Sequence, residues 1–211
     1  MSLQLYSYWE SSTAYRARIA LNLKGLAYEI SGVDLVEGAQ HQTAFAKVNP
    51  SQGVPVLVTG QGQHLTQSLA ILEWLEEVYP DPALLPPEPD QRARQRAAAM
   101  AIACDIHPVN NRRVRLYLKG LGHGDAEVMD WLRHWMEQGL AAFQDLIQHD
   151  ARFCFGAHPG FADICLIPQL YNARLCKMDL SPYGRLLAVE EACNALAPFQ
   201  AAHPRQQPDA P

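Results

Sequence analysis

The first apolar positions alternate with polar ones, Leu3-Gln4-Leu5-Tyr6-Ser7-Tyr8, and predict a strand over Leu3 to Tyr8. The segment from Ala14 to Lys24 predicts a helix that Gly25 ends at its C-cap. A second strand is expected over Tyr28 to Val33, and a short helix over Gln42 to Lys47 before Asn49-Pro50. Val56-Leu57-Val58 and Gln63-His64-Leu65, joined by a turn through Gly60 and Gly62, read as a β-hairpin. Leu69, Leu72, Leu75 and Val78 recur at helical spacing and predict an amphipathic helix over Ser68 to Val78. The order is βαβ followed by αββα. The first three elements require parallel strands joined by a right-handed crossover, and the hairpin adds an antiparallel pair.

The pattern then breaks. Five of the ten residues from Pro80 to Pro89 are proline. Proline lacks an amide proton and disfavours helix in the residue before it, so residues 81–89 are expected to form an extended linker. It separates an α/β domain over residues 1–80 from an all-helical domain over residues 90–211. In the latter, Asp90 to Lys119 reads as one long helix or two. Its Ala97-Ala98-Ala99 run allows close approach of a neighbour, and a kink is expected at Pro108. Ala126 to His149 reads as a long helix with Trp131, Trp135 and Phe143 in the core. Helices over Phe161 to Leu175 and Leu186 to Ala195 follow, and the tail from Pro198 is expected to be an extended surface strap.

Composition narrows the function. The chain has 211 residues, 48% apolar and 18% charged, which suits one large or two small well-packed domains. A net charge of −5 gives nucleic-acid binding no electrostatic support. No stretch approaches the ~18 uninterrupted apolar residues of a membrane helix, and no signal peptide is expected at the N-terminus. Cys104, Cys154, Cys165, Cys176 and Cys193 form an odd set without a CxxC pair, which points to a reducing cytoplasm rather than a disulfide framework. The eight histidines show no metal-ligand spacing, so no metal site is expected. Cys104 and Cys165, in apolar helix, read as inert, and Asp163 reads as a structural cap.

Three places carry candidate chemistry. Ser11-Ser12-Thr13 puts hydroxyls at a helix N-terminus, where they serve as simple caps or hold an anion such as a ligand thiolate and lower its pKa. Gly53-Val54-Pro55 is either a turn device or a cis peptide that presents the Val54 main chain to a peptide-like ligand. In Gln67-Ser68, Ser68 is a natural N-cap, a position that equally seats a ligand carboxylate.

In this order and on this frame, the chain resembles the glutathione transferases, and within them the zeta class of maleylacetoacetate and maleylpyruvate isomerases. Tyr8-Trp9-Glu10-Ser11-Ser12-Thr13-Ala14-Tyr15-Arg16-Ala17-Arg18-Ile19-Ala20-Leu21 matches the zeta Ser-Ser-Cys motif and its helix. Asn49-Pro50, Val54-Pro55, Gln67 to Ile71, Leu84-Leu85-Pro86, Cys104 to Arg113, Ala162-Asp163 and Asp179 to Tyr183 extend the match over nearly the whole chain. The resemblance implies a thioredoxin-like N-terminal domain, an all-helical C-terminal domain, a homodimer and glutathione as cofactor. It also implies cis–trans isomerisation of a maleyl diketo acid in the breakdown of aromatic amino acids and other aromatic compounds.

By the same resemblance, Ser11 matches the hydroxyl that supports the glutathione thiolate, and Ser12 lies close to the sulfur. Gln40 matches a residue near the glycyl end, Val54 the main-chain contact to the cysteinyl part, and Gln67 with Ser68 the γ-glutamyl site. His107, Asn111 and Arg112 match positions facing the ligand. His107 and Asn111 lie four apart on one helical face that Arg115 continues. The sequence also departs from the family. Thr13 stands where the motif has cysteine, Glu10 where it has arginine, Leu175 where it has another arginine (the adjacent Arg174 is expected to bind substrate in its place, with Asn111 and Arg112), and Gly160 where a Ser or Thr caps the helix. Two other readings stay open: a transferase that conjugates or dehalogenates small electrophiles and consumes glutathione, and a non-catalytic binding protein.

Overall fold

The computed structural model describes residues 2–211. Strand β1 (Leu3–Ser7) buries alternate residues, as its sequence alternation requires. Helix α1 (Ser12–Leu23) follows and ends as predicted: Gly25 takes φ +65°, its amide reaches the Asn22 carbonyl, and the Leu26 amide reaches that of Leu21. β2 (Tyr28–Gly32) then pairs parallel with β1, Leu5 opposite Ile30. A 3₁₀ turn (Ala39–His41) and helix α2 (Thr43–Val48) lead to β3 (Val56–Val58), antiparallel to β1, and β4 (His64–Thr66), antiparallel to β3. The sheet order is β2-β1-β3-β4. Helix α3 (Ser68–Val78) closes this part.

The chain divides into two compact units. One holds the residues up to Ala83 together with Asn194–Pro211, and the other spans Leu84–Cys193. In the first unit, one face of the sheet packs on Val33, Phe45 and Val56, with Tyr6, Leu35, Val48 and Val54 against them. Its interior also holds charge. The Lys24 ammonium meets the Glu76 carboxylate and the Pro82 carbonyl, each at 2.7 Å. Arg18, fully buried, donates to the Ala202, Tyr8 and Trp9 carbonyls and to the Ser7 hydroxyl. Such buried cations persist because their donors are satisfied.

The C-terminal tail is not the extended strap that its prolines suggested. Residues Ala197–Ala202 form a helix against α1, burying Phe199 and Ala202, and Asn22 donates to the Pro198 carbonyl. Pro198 sits in the first turn, where a missing amide proton costs nothing.

The second unit is helical. Helix α4 (Pro89–Met100) runs into a π-helical segment, Ala101–Ile106, and a short helix α5 (His107–Asn110). Pro108 cannot donate to the Cys104 carbonyl, and the helix widens into a π-helical turn just before the proline. Asn111 leaves the helix (ψ 150°) and caps α6 (Arg112–Gly120) through its side-chain oxygen. Helix α7 (Asp125–Leu146) buries Val128, Leu132, Met136, Leu140 and Phe143, and its Gly139 lies against the Ile106 side chain. That stripe leaves Trp131 exposed and Trp135 only half-buried, so of the three aromatic residues expected in the core only Phe143 is there. Helices α8 (Phe161–Leu175) and α9 (Gly184–Asn194) complete the unit. Asp163 is the expected cap, accepting the Cys154 and Gly160 amides at 2.8 and 2.9 Å. Cys165 is buried, whereas Cys104, expected in an apolar setting, is exposed. No described helix is long and apolar enough to cross a membrane.

Candidate active site

The hydroxyl triplet sits where β1 hands the chain to α1. Ser11 is the N-cap, and its Oγ accepts the Ala14 amide at 3.3 Å. The same oxygen lies 3.0 Å from Thr13 Oγ1, which donates to the Val54 carbonyl at 2.8 Å. Ser11 and Thr13 are half-buried, whereas Ser12 turns inward and is 6% exposed. What Ser12 offers to a ligand is therefore its main chain at the helix start. The first turn of α1 carries no acidic residue, so its amide dipoles favour an anion there.

Val54 is fixed from below. Asn49, buried, donates to the Gly53 carbonyl at 2.7 Å and accepts from the Ser51 amide, tying down the loop that leads into the strand. The Val54–Pro55 bond is cis, the second of the two geometries that Gly53-Val54-Pro55 allowed. On the same rim, Gln40 donates to His41 Nε2 at 3.0 Å, and His41 Nδ1 donates to Gln52 Oε1 at 2.6 Å, which makes His41 the Nδ1–H tautomer. The other atom of the Gln40 amide, Oε1, is buried without a hydrogen-bond partner among the described residues. A buried amide oxygen left unpaired is costly unless a ligand or water meets it.

Ser68 is not the N-cap of α3. The cap is Gln67, exposed, at φ 69° and ψ 118°, and its side chain makes no capping bond. Ser68 instead is the first helical residue, and its buried Oγ accepts from Arg16 NH1 at 3.4 Å. The start of α3 presents the positive end of its backbone dipole, a position that favours an anion, and the Arg16 guanidinium lies behind it. Sequence reasoning missed Arg16. Its signal was a charged residue on the apolar, inward face of α1.

Between β1 and the triplet, around Tyr8, the field is negative. Burial first, and then the carboxylates of Glu10, Asp34 and Asp209, hold the Tyr8 hydroxyl above the usual tyrosine value, so Tyr8 is neutral at physiological pH.

In the helical unit, Asn111 Nδ2 donates to His107 Nε2 at 3.2 Å while its Oδ1 caps α6, so the amide is pinned from both sides and His107 keeps a lone pair on Nε2. Arg115 does not continue their face, because the helix breaks at Asn111. Arg112, half-buried, opens α6. Arg174 is committed elsewhere: both its terminal nitrogens grip the Glu190 carboxylate, at 2.5 and 2.6 Å.

Glutathione suits the first unit's arrangement: hydroxyls at one helix N-terminus for a thiolate, a main-chain edge for a peptide, and a cationic second helix N-terminus for a carboxylate. Comparison with known proteins agrees. Residues 1–77 match the family model for the glutathione S-transferase N-terminal domain, and residues 126–205 match that for the C-terminal domain. The chain belongs to the glutathione S-transferase family. Within that family, it is 45% identical to the maleylacetoacetate isomerase of Pseudomonas aeruginosa over 211 residues, 99% of each chain. Its fold matches a structure described as holo maleylpyruvate isomerase, a bacterial zeta-class glutathione transferase (TM-score 0.95, 44% identity, 99% of this chain and 100% of that one). It also matches the Anaeromyxobacter dehalogenans maleylacetoacetate isomerase with glutathione bound in its active site (TM-score 0.91, 49% identity, 100% of this chain and 98% of that one).

Proposed function

We propose that this chain is a cytoplasmic, homodimeric, glutathione-dependent isomerase of the zeta type. It converts a maleyl-substituted diketo acid, maleylacetoacetate or maleylpyruvate, to its fumaryl isomer in the breakdown of aromatic compounds. The observation that carries this reading is the Ser11–Thr13 hydroxyl pair at the start of α1, hydrogen-bonded to the Val54 main chain. Bound glutathione supplies a thiol nucleophile that is regenerated in each turnover.

The chain's own residues do the rest. Ser11 Oγ donates to the sulfur, and the first amides of α1, those of Ser12 and Thr13 among them, add positive potential, so the thiol is held ionised below its free value of about 8.5. Val54 pairs its main chain with the cysteinyl part. Gln67, the Ser68 amide and the Arg16 charge behind it take the γ-glutamyl carboxylate, and Gln40 meets the glycyl end. His107, Asn111 and Arg112 serve glutathione and the substrate carboxylates. Arg174, spent on Glu190, leaves that set. The 1–80 and 90–211 division stands as a functional proposal, glutathione on the first domain and substrate selection on the second. Dimer formation is supported by α4, where Ala97 and Met100 stay exposed beside the small, buried Ala98 and Ala99.

One observation favours a second reading, transfer of glutathione to a less anionic electrophile: Glu10 stands directly before Ser11, where the related isomerases carry arginine, and a carboxylate there repels a dianionic substrate. Assay of the purified chain with maleylacetoacetate separates the readings. Isomerisation that requires glutathione supports the proposal; none with it, or an equal rate without it, overturns it.

A further inference from the structure

The Ser11–Thr13–Val54 hydrogen-bond chain holds only two hydroxyl protons. A hydroxyl has one proton to give. Thr13 gives its proton to the Val54 carbonyl at 2.8 Å. The 3.0 Å contact between Ser11 Oγ and Thr13 Oγ1 therefore carries the Ser11 proton, donated toward Thr13. Ser11 Oγ is meanwhile an acceptor for the Ala14 amide. In this arrangement both hydroxyl protons are engaged within the protein, and Ser11 has none to offer a ligand sulfur.

For Ser11 to donate outward, the chain must reverse. Two hydroxyl oxygens 3.0 Å apart with no proton between them repel, so the Thr13 proton has to swing to Ser11 Oγ as the Ser11 proton leaves. That swing strips the Val54 carbonyl of its donor. The carbonyl is half-buried and needs another donor. A ligand peptide N–H pairing with the Val54 main chain is such a donor.

We infer that Thr13 is a positioning residue whose hydroxyl is a two-position relay: its proton rests on the Val54 carbonyl in the free protein and turns to Ser11 Oγ when a ligand N–H takes that carbonyl. Ser11 then donates to sulfur only once the cysteinyl part is seated. Every proton stays on its own oxygen and only O–H bonds rotate, so no acid, base or oxidant is required. The inference rests on the glutathione reading above. It gives the residue that replaces the motif's cysteine a task a thiol performs poorly, since S–H is a weak donor.

The test is the pKa of the bound thiol, read from thiolate ultraviolet absorbance against ligand-free protein and referred to each free ligand's own value. Two ligands are compared: glutathione, and its ester analogue with oxygen in place of the cysteinyl N–H. In the native protein the analogue's bound thiol should titrate about one unit higher than that of glutathione, tenfold in the thiolate ratio. Thr13→Ser, which keeps the hydroxyl, should preserve that difference, and Thr13→Val should abolish it. If Thr13→Val does not fold, Thr13→Ala makes the same comparison. A native protein that binds glutathione with a lowered thiol pKa but does not distinguish the analogue overturns the relay alone, as does a difference that survives in Thr13→Val. A native protein that does not bind glutathione by calorimetry overturns the glutathione reading itself, and the relay with it.

Discussion

Replacing Ser11 by alanine removes one oxygen that has two separable tasks. As the N-cap of α1, Ser11 Oγ accepts the Ala14 amide at 3.3 Å, toward the long end for a hydrogen bond. Its loss should cost about 0.5–1 kcal/mol, the lower part of the range for N-caps. As a donor to the bound sulfur it acts where charge is concentrated, and by analogy with an oxyanion-hole donor its loss should cost on the order of 2–4 kcal/mol. That is roughly 30- to 900-fold in turnover, at about 1.36 kcal/mol per factor of ten. Urea denaturation reads the first effect, and turnover at saturating glutathione reads the second. The bound-thiol pKa should rise in parallel, with glutathione affinity changed less. Thr13→Ala should be milder, because Thr13 touches the sulfur only through Ser11. A Ser11→Ala protein that loses stability but keeps native turnover would rule out Ser11 as the donor to sulfur, and so would a Thr13→Ala protein that is the more damaged of the two.

Glu76→Ala leaves the fully buried Lys24 ammonium with only the Pro82 carbonyl and should cost about 3–5 kcal/mol by urea denaturation; a loss below about 1 kcal/mol would contradict the pairing. Gly160→Ser restores the residue type the family uses as a cap, yet its Cβ would meet the Leu84 carbonyl oxygen at 2.7 Å, so the thermal midpoint should fall rather than rise. Burial first, then Arg205 and Arg18, hold His203 below its ordinary value of about 6.5. Between the depressed and the ordinary pKa the unfolded chain binds more protons, so stability rises with pH through that window and is lost on acidification below about 6.5; His203→Gln should flatten the dependence. Glu10→Arg should lower KM for maleylacetoacetate and leave glutathione affinity little changed; a native enzyme that is already efficient and gains nothing makes Glu10 a bystander.

Elements set by local chemistry were legible in the sequence. Ser68–Val78 has the bounds that periodicity predicted, Phe161–Leu175 has those expected of it, and Gly25 ends α1 as its freedom at positive φ requires. What escaped depends on partners distant in sequence. The tail's prolines said extended, but burial of Phe199 and Ala202 against α1 makes a helix. Trp131 and Trp135 look like core by composition, yet the inward stripe of α7 passes through Leu132 and Met136. In the site, the hydroxyls and the Val54 main chain were legible because turn and cap chemistry is local. Arg16 behind Ser68, the inward turn of Ser12 and the capture of Arg174 by Glu190 were not. Each is a charge or hydroxyl whose direction only tertiary packing decides.

In the proposed mechanism glutathione acts without being consumed. The most direct measurement counts free thiol while the purified chain turns over a large excess of maleylacetoacetate in the presence of limiting glutathione. On that mechanism the fumaryl isomer accumulates to many equivalents of the glutathione present while the thiol count stays constant. Loss of one thiol for each substrate molecule converted, with turnover stopping when glutathione is exhausted, would contradict it.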